Sequence, residues 1–260
     1  MIVTTVASPD AETELRAARF ARELAAPYVP RGRSTVAGLM KRCGAHGALV
    51  VGPDGLRCFE TGEPPLFFHP SMALVRLKRL LRGGGDALLD VSGAGPGDAV
   101  LDCTGGLGSD AIVLSHAVGP RGSVVSVEKS PLLHLIVREG LRAFDTGIEP
   151  ANEAMRRIRA VRADHGDYLR ALPDRSVDIV YFDPMFRRPV LSSSALRPLR
   201  SQAEERPLSE AAVREAVRVA RRRVVLKDHR DSGEFERLGF VRRRVSSSKV
   251  AYGVIDIDDA

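Results

Sequence analysis

Apolar positions follow two different spacings along the chain. Up to about residue 65 they come in short runs broken by glycine, proline and charge. Residues 2–6, Ile-Val-Thr-Thr-Val, read as a strand, and residues 9–26 carry helical spacing with alternating charge on one face. Ser34 stands where an N-cap belongs and predicts a helix over Val36–Arg42. Two apolar runs, 48–51 and 56–59, flank Pro53-Asp54-Gly55 and predict a hairpin. After a break at 62–65, Ser71 is placed to cap an amphipathic helix over 72–82, with Leu74, Leu77, Leu80 and Leu81 on one side and Gly83-Gly84-Gly85 at its end.

From Asp98 onward, strands alternate with helices. Apolar strand patterns fall at 99–102, 123–127, 158–163, 177–182 and 224–227; helical patterns fall at 109–117, 131–144, 210–221 and 234–238. Segments 241–246 and 251–257 read as a closing antiparallel pair. Repeated βα units imply a largely parallel sheet covered on both faces, and a terminal hairpin is a variation of the dinucleotide-binding architecture. The chain thus divides into a small α+β unit, residues 1–66, and an α/β domain, residues 67–260.

Composition narrows the class. At 260 residues and 44% hydrophobic content the chain can build a full core, which excludes a disordered tail or a small disulfide scaffold. No apolar run approaches the ~20 residues a bilayer span needs, and no basic segment precedes the apolar start, so neither a membrane partner nor a signal peptide is expected. Cysteines at 43, 58 and 103 fit a reducing cytoplasm, and no Cys/His cluster has zinc spacing. The net charge is +6, and only five of 39 cations are Lys. An arginine excess fits a polyanionic partner or a composition bias, and composition does not choose between them.

The candidate chemistry collects at strand ends. Asp102-Cys103-Thr104-Gly105-Gly106-Leu107-Gly108 joins the first strand of the α/β domain to its first helix. Glycines there allow a tight turn and close backbone approach to a ligand. A carboxylate at the strand end would repel a pyrophosphate and suits a ligand with a positive amino group. Glu128 ends the second strand 20 residues beyond Gly108, the spacing at which an acidic group reaches ribose hydroxyls. The third strand leads into Asp164-His165-Gly166-Asp167-Tyr168, where Asp167 or Asp164 can meet an adenine amine. Three acidic strand ends in succession imply a nucleoside carrying positive charge, and S-adenosylmethionine fits better than NAD; an α/β scaffold with an inactive site is the plainer reading. The fourth strand ends in Asp183-Pro184-Met185-Phe186. Pro184 stiffens the loop, Asp183 and nearby carbonyls can hold the hydrogens of an exocyclic amine, and Phe186 can stack on a planar base.

Residues 98–186 resemble the class I S-adenosylmethionine-dependent methyltransferases, and more narrowly the bacterial family that methylates a guanine exocyclic amine in 16S ribosomal RNA. The similarity rests on Asp102-Cys-Thr-Gly-Gly-Leu-Gly108-Ser109-Asp110-Ala111, on Glu128-Lys129-Ser130-Pro131 and on Asp183-Pro184-Met185-Phe186. The resemblance implies a Rossmann-like fold with a mostly parallel seven-stranded sheet and a terminal antiparallel hairpin. It also implies cofactor contacts at Ser109, Asp110, Glu128, Lys129, Asp167, Tyr168 and Asp183. Residues 224–227 resemble that family's Val-Val-Val-Lys strand. The family's proline after the tetrapeptide is replaced here by Arg187-Arg188, and the following segment, 189–207, matches poorly.

The expected function is therefore methylation of a guanine amine in RNA, with ribosomal RNA or the small subunit as partner. Asp183, Pro184 and Phe186 would be catalytic, and Met185, Arg187 and Arg188 would meet substrate. Arg197 and Arg200 would add charge beside the acceptor loop. Methylation of a small molecule or protein, and a non-catalytic RNA-binding module, are the alternatives.

Overall fold

The computed structural model describes residues 1–184, 207–243 and 249–258. Met185, Phe186, Arg187, Arg188, Ser192-Ser193-Ser194, Arg197, Arg200 and Arg244 lie outside the described residues. The described chain forms two compact units.

One unit combines Met1–His69 with Pro131–Phe144. Its sheet is built from β1 (Ile2–Thr5), β2 (Gly47–Gly52), β3 (Gly55–Glu60) and β4 (Leu66–Phe67), in that order. β1 runs parallel to β2, and the other pairs are antiparallel. Strand alternation sends Val3, Leu49 and Val51 to one face, where α1 (Ala11–Glu23) buries Ala17, Phe20 and Ala21. The opposite face turns Ile2 and Ala48 toward Leu39 and Met40 of α2 (Val36–Arg42). The cap of α2 is Thr35 rather than Ser34: the Thr35 hydroxyl accepts from the Gly38 N–H at 3.1 Å. Ser34 lies one residue outside the first turn and instead accepts from Arg31 and Arg42. Helix α6 (Pro131–Ala143), which the βα alternation predicts, is clustered with this unit. Its Gly140 passes so close to Phe68 that a side chain would not fit, and Arg138 forks onto Glu23 at 2.7 and 3.0 Å.

The second unit holds α3 (Ser71–Leu81), α4 (Ala87–Ser92) and a seven-stranded sheet. Its strands are β5 (Ala99–Asp102), β6 (Ser123–Glu128), β7 (Ile158–Arg162), β8 (Val177–Phe182), β9 (Ala220–His229), β10 (Val241–Arg243) and β11 (Val250–Asp256). The order is β10-β11-β9-β8-β5-β6-β7, parallel from β7 to β9 and antiparallel at β11 and β10. This is the Rossmann-like arrangement with a terminal hairpin. The helices are α5 (Ser109–Val118), α7 (Glu149–Arg157), α8 (His165–Ala171), α9 (Glu210–Val219) and α10 (Glu234–Arg237). Leu101, Phe182, Val213, Ala216, Val224, Leu226 and Phe235 share one buried core. Strand β5 is flanked by β6 on one side and β8 on the other, so the chain leaves its end in one direction and returns on the other. A crevice opens at such a switch point, outside the carboxyl ends of the strands.

Ser71 does not cap α3; it is the first helical residue, and Pro70 at the cap position makes no side-chain hydrogen bond. The helix buries Ala73 and Leu77, while Leu81, Met72 and Val75 stay exposed, so its apolar stripe is narrower than four leucines suggest. Strand β9 begins four residues earlier than its apolar run. The Arg221, Arg222 and Arg223 guanidiniums meet Asp178, Asp98 and Asp256 at 3.2, 2.7 and 2.5 Å, which lets the strand extend through a basic run. That run is therefore structural. Gly253 of β11 lies where a Cβ would stand 2.5 Å from the Phe235 ring and 2.9 Å from Phe240. Gly253→Ala is expected to cost ~1–3 kcal/mol through overpacking. A urea unfolding midpoint equal to that of the parent would contradict this packing.

Candidate functional site

The loop after β5 folds around a buried carboxylate. Asp102 is 2% exposed; it accepts the Thr104 N–H at 3.0 Å and the Ser126 hydroxyl at 3.1 Å. Burial pushes its carboxyl up to about 7, against those two hydrogen bonds. Gly105 runs against β6, donating to the Val127 carbonyl at 2.9 Å, where a Cβ would collide with the Ser126 hydroxyl. Gly106 and Gly108 take positive φ, and Gly108 occupies the N-cap position of α5, with Ser109 as its first residue. Glu128, at the end of β6, accepts from the Gly106 N–H at 3.2 Å and from the Ser130 N–H at 2.8 Å. Thr104 in turn accepts the Asp183 N–H at 2.6 Å, tying the loop after β5 to the end of β8.

Behind this loop lies an ion cluster. The Lys227 ammonium, on β9, donates to Asp110 at 2.8 Å and to Asp183 at 2.7 Å. The other oxygen of Asp110 meets Arg76 of α3, and the Tyr181 hydroxyl donates to Asp110 at 2.8 Å. Arg76 also grips Asp86 with two bonds, at 2.7 and 2.8 Å, while Asp86 caps α4 through the Leu88 and Leu89 N–H groups. Burial opposes ionisation of Asp110, but Lys227 and Arg76 outweigh it and hold the carboxyl well below the usual range. Burial opposes the Lys227 charge as well, and the two carboxylates keep the ammonium protonated far above its ordinary range. Asp183 receives a smaller share of this cation. Burial raises its carboxyl to about 6, with the Asp110 charge adding and Lys227 opposing. Among the described residues, Asp86, Asp110 and Asp183 share Arg76, Lys227 and, at 3.4 Å from Asp86, Arg79, while Asp102 adds a fourth buried acid; acids outnumber cations here, which favours a cationic ligand.

The structure brings Asp102, Thr104, Gly105, Gly106, Gly108, Ser109, Asp110, Glu128 and Asp183 together at the ends of β5, β6 and β8, with Pro184 next to Asp183. Lys129 pairs with Asp164 at 3.1 Å, and Asp164 caps α8 through the Gly166 and Asp167 N–H groups. The Asp167 carboxylate is exposed and paired with Arg170, and the Tyr168 hydroxyl accepts from Arg159 at 2.6 Å. The pattern of the chain does not reveal Arg76, Asp86 or Tyr181. Arg76 has the helical position of a solvated charge, and only the tertiary fold turns it inward. Lys227 had a signal: a lysine closing a buried Val-Val-Leu run in a chain where only five of 39 cations are Lys.

The chain matches, over residues 48–237, the family model described as "Putative SAM-dependent methyltransferase". It is 44% identical over 254 residues to the uncharacterized protein YpiP of Bacillus subtilis, covering 98% of each chain. It is 31% identical over 189 residues to the ribosomal RNA small subunit methyltransferase J of Aeromonas salmonicida, covering 69% of this chain and 74% of that one. A SAM-dependent methyltransferase structure from Neisseria gonorrhoeae superposes with a TM-score of 0.67 at 18% identity, over 100% of this chain and 97% of that one, and so shares its fold. The chain belongs to the SAM-dependent methyltransferase family, with a class I fold, and its cofactor is S-adenosylmethionine. Among the described residues no helix is long and apolar enough to cross a membrane.

Asp102 gives the site a signature in the cofactor-free protein. Its folded pKa lies above its unfolded value, so its contribution to stability is fully present below about pH 4 and is lost as pH rises through about 7. Asp102→Asn keeps an acceptor for the Thr104 N–H and removes that loss. The advantage of the variant over the parent should be ~2–3 kcal/mol larger at pH 8 than at pH 5, read by chemical denaturation. An equal difference at both pH values would contradict a raised Asp102.

Proposed function

We propose that this methyltransferase modifies the exocyclic amine of a guanine in RNA, and that the RNA is that of the small ribosomal subunit. The observation that carries the reading is Asp183. Its N–H is tied to Thr104, and Lys227 holds its Oδ2 at 2.7 Å. The side chain is nonetheless a quarter exposed, at 25%, so an acceptor can reach it. A carboxylate fixed in this way, followed by Pro184, suits a planar amine whose two hydrogens must be held while its lone pair turns out of conjugation. The curated relatives from Aeromonas salmonicida and Laribacter hongkongensis are named ribosomal RNA small subunit methyltransferases, which supports ribosomal RNA.

The residues fit the cofactor. Asp102 is a buried carboxylate, and the glycine loop beside it leaves the backbone bare where a ligand must approach. In this reading Asp102, with Thr104, Gly105, Gly106 and Gly108, holds the cationic amino-acid end. Glu128 receives the ribose hydroxyls, and Ser109, Lys129, Asp167 and Tyr168 border the adenosine. The cluster of carboxylates around Asp110 favours the positive sulfonium. Bound S-adenosylmethionine supplies an already activated methyl group, so the chain needs no strong base. Asp183 accepts an acceptor N–H at Oδ1, holds the amine in line, and with its raised pKa can take the proton that the nitrogen sheds. Met185, Phe186, Arg187 and Arg188 come next in the sequence and are the residues proposed to meet substrate.

Asp183→Asn should lower transfer by about two orders of magnitude or more while S-adenosylmethionine affinity by calorimetry stays within a few-fold. The parent rate should rise with pH through about 6 as Asp183 ionises. A variant with full turnover, or a rate independent of pH from 5 to 8, would remove Asp183 from this role. The substrate is tested by mapping methylated guanines in small-subunit ribosomal RNA from cells with and without the protein. One guanine should lose its methyl group on deletion; an unchanged map would exclude the ribosomal assignment.

A further inference from the structure

The N-terminal unit has a second feature, built from its own residues. Across its sheet, Thr4, Val50, Arg57 and Phe67 stand in one row and Ile2, Ala48 and Phe59 in the next, all on the α2 face. Leu39 and Met40 of α2 cover the row of Ile2 and Ala48. Toward the other end of the strands, Val6, Val50 and Gly52 border a cavity of about 280 Å³ with Val36 at the start of α2, Arg31, Arg57 and Phe59.

Charge is sorted between the two faces of this sheet. The α1 side supplies carboxylates, and there Arg138 meets Glu23 and Arg19 meets Glu139. On the α2 side, Arg31, Arg33, Lys41, Arg42 and Arg57 meet no carboxylate within ion-pair distance among the described residues. Arg31 is nevertheless held in place. Its Nε donates to the Ser34 carbonyl at 2.8 Å and its Nη1 to the Thr5 carbonyl at 3.3 Å, which fixes the guanidinium without neutralising it. Arg57 is exposed and lies 5.7 Å from the centre of the Phe67 ring, which is itself 41% exposed. Two uncompensated guanidiniums, one of them immobilised, favour phosphate oxygens, and the exposed Phe67 and half-buried Phe59 beside them offer ring surface to unpaired bases. A rigid cation also loses little side-chain entropy when it binds.

We propose that this cavity and its arginine rim bind a single-stranded RNA segment, with Arg31 and Arg57 on backbone phosphates and Phe59 or Phe67 against a base. The inference rests on RNA being the substrate and adds a contact apart from the residues of the transfer site. Asp54, on the hairpin at the rim, is the one carboxylate lining the cavity among the described residues, and it opposes the phosphates.

The test is fluorescence anisotropy of the full chain with a labelled single-stranded RNA, repeated over a salt series. Arg31→Ala combined with Arg57→Ala should weaken binding about tenfold or more and lower the salt slope by about 1–2. Arg57→Glu, at an exposed position, should weaken binding with an unaltered unfolding midpoint, and Asp54→Asn should tighten it. S-adenosylmethionine affinity should be unchanged in all three. If the parent binds and methylates RNA but affinity and salt slope are the same in the arginine variants, this site is wrong and the functional reading stands. A parent that binds no RNA overturns both. A loss of affinity with an unchanged salt slope would also overturn the phosphate contacts.

Discussion

One ammonium shared between two carboxylates organises the transfer site. Lys227 lies 2.8 Å from Asp110 and 2.7 Å from Asp183, and neither acid has it to itself. Asp110 has Arg76 and Tyr181 as well, so the charge settles there, while burial and the Asp110 charge raise the Asp183 carboxyl against Lys227. A buried ion pair contributes little net stability, because desolvation offsets most of the attraction, but removing one partner is costly. Such clusters therefore hold their members in place more than they stabilise the fold. Here the holding extends outward: Arg76 fixes Asp86, Asp86 caps α4, and the strand ends of β5, β8 and β9 are brought into one register.

The same arrangement explains why a methyltransferase site tolerates so much unbalanced negative charge. Asp102 is nearly inaccessible and is held by hydrogen bonds from Thr104 and Ser126, yet it remains hard to ionise. That cost is reduced once a positive group is adjacent. The site is thus preorganised for a cationic cofactor at the expense of the cofactor-free protein, as expected where binding and catalysis depend on fixed electrostatics.

Much of this was legible in the chain. The βα alternation after Asp98 gave the sheet, because buried parallel strands must be apolar on both faces. Asp102, Glu128 and Asp183 were visible as acids at strand ends, and their family resemblance identified the cofactor. Helices α4, α7 and α8 were not, since they are set by local capping and packing, as at Asp86 and Asp164. The Ser34-Thr35 pair shows the limit of cap reading: two hydroxyls stood side by side, and only backbone geometry selected Thr35. Arg76 was hidden because an inward arginine and a solvated one have the same helical spacing. The arginine excess was ambiguous as composition. In the fold it divides into residues matched by carboxylates, such as 221–223, and residues left unmatched around α2.

The central claim is that Lys227 holds down an Asp183 carboxyl that burial raises. It is tested most directly by carboxyl-carbon NMR titration of Asp183 in the cofactor-free protein and in Lys227→Met. The account predicts that Asp183 titrates above the ordinary carboxylate range, and that its midpoint moves further up when the ammonium is removed. An Asp183 that titrates near 4 in the parent, or whose midpoint does not move in the variant, would contradict it.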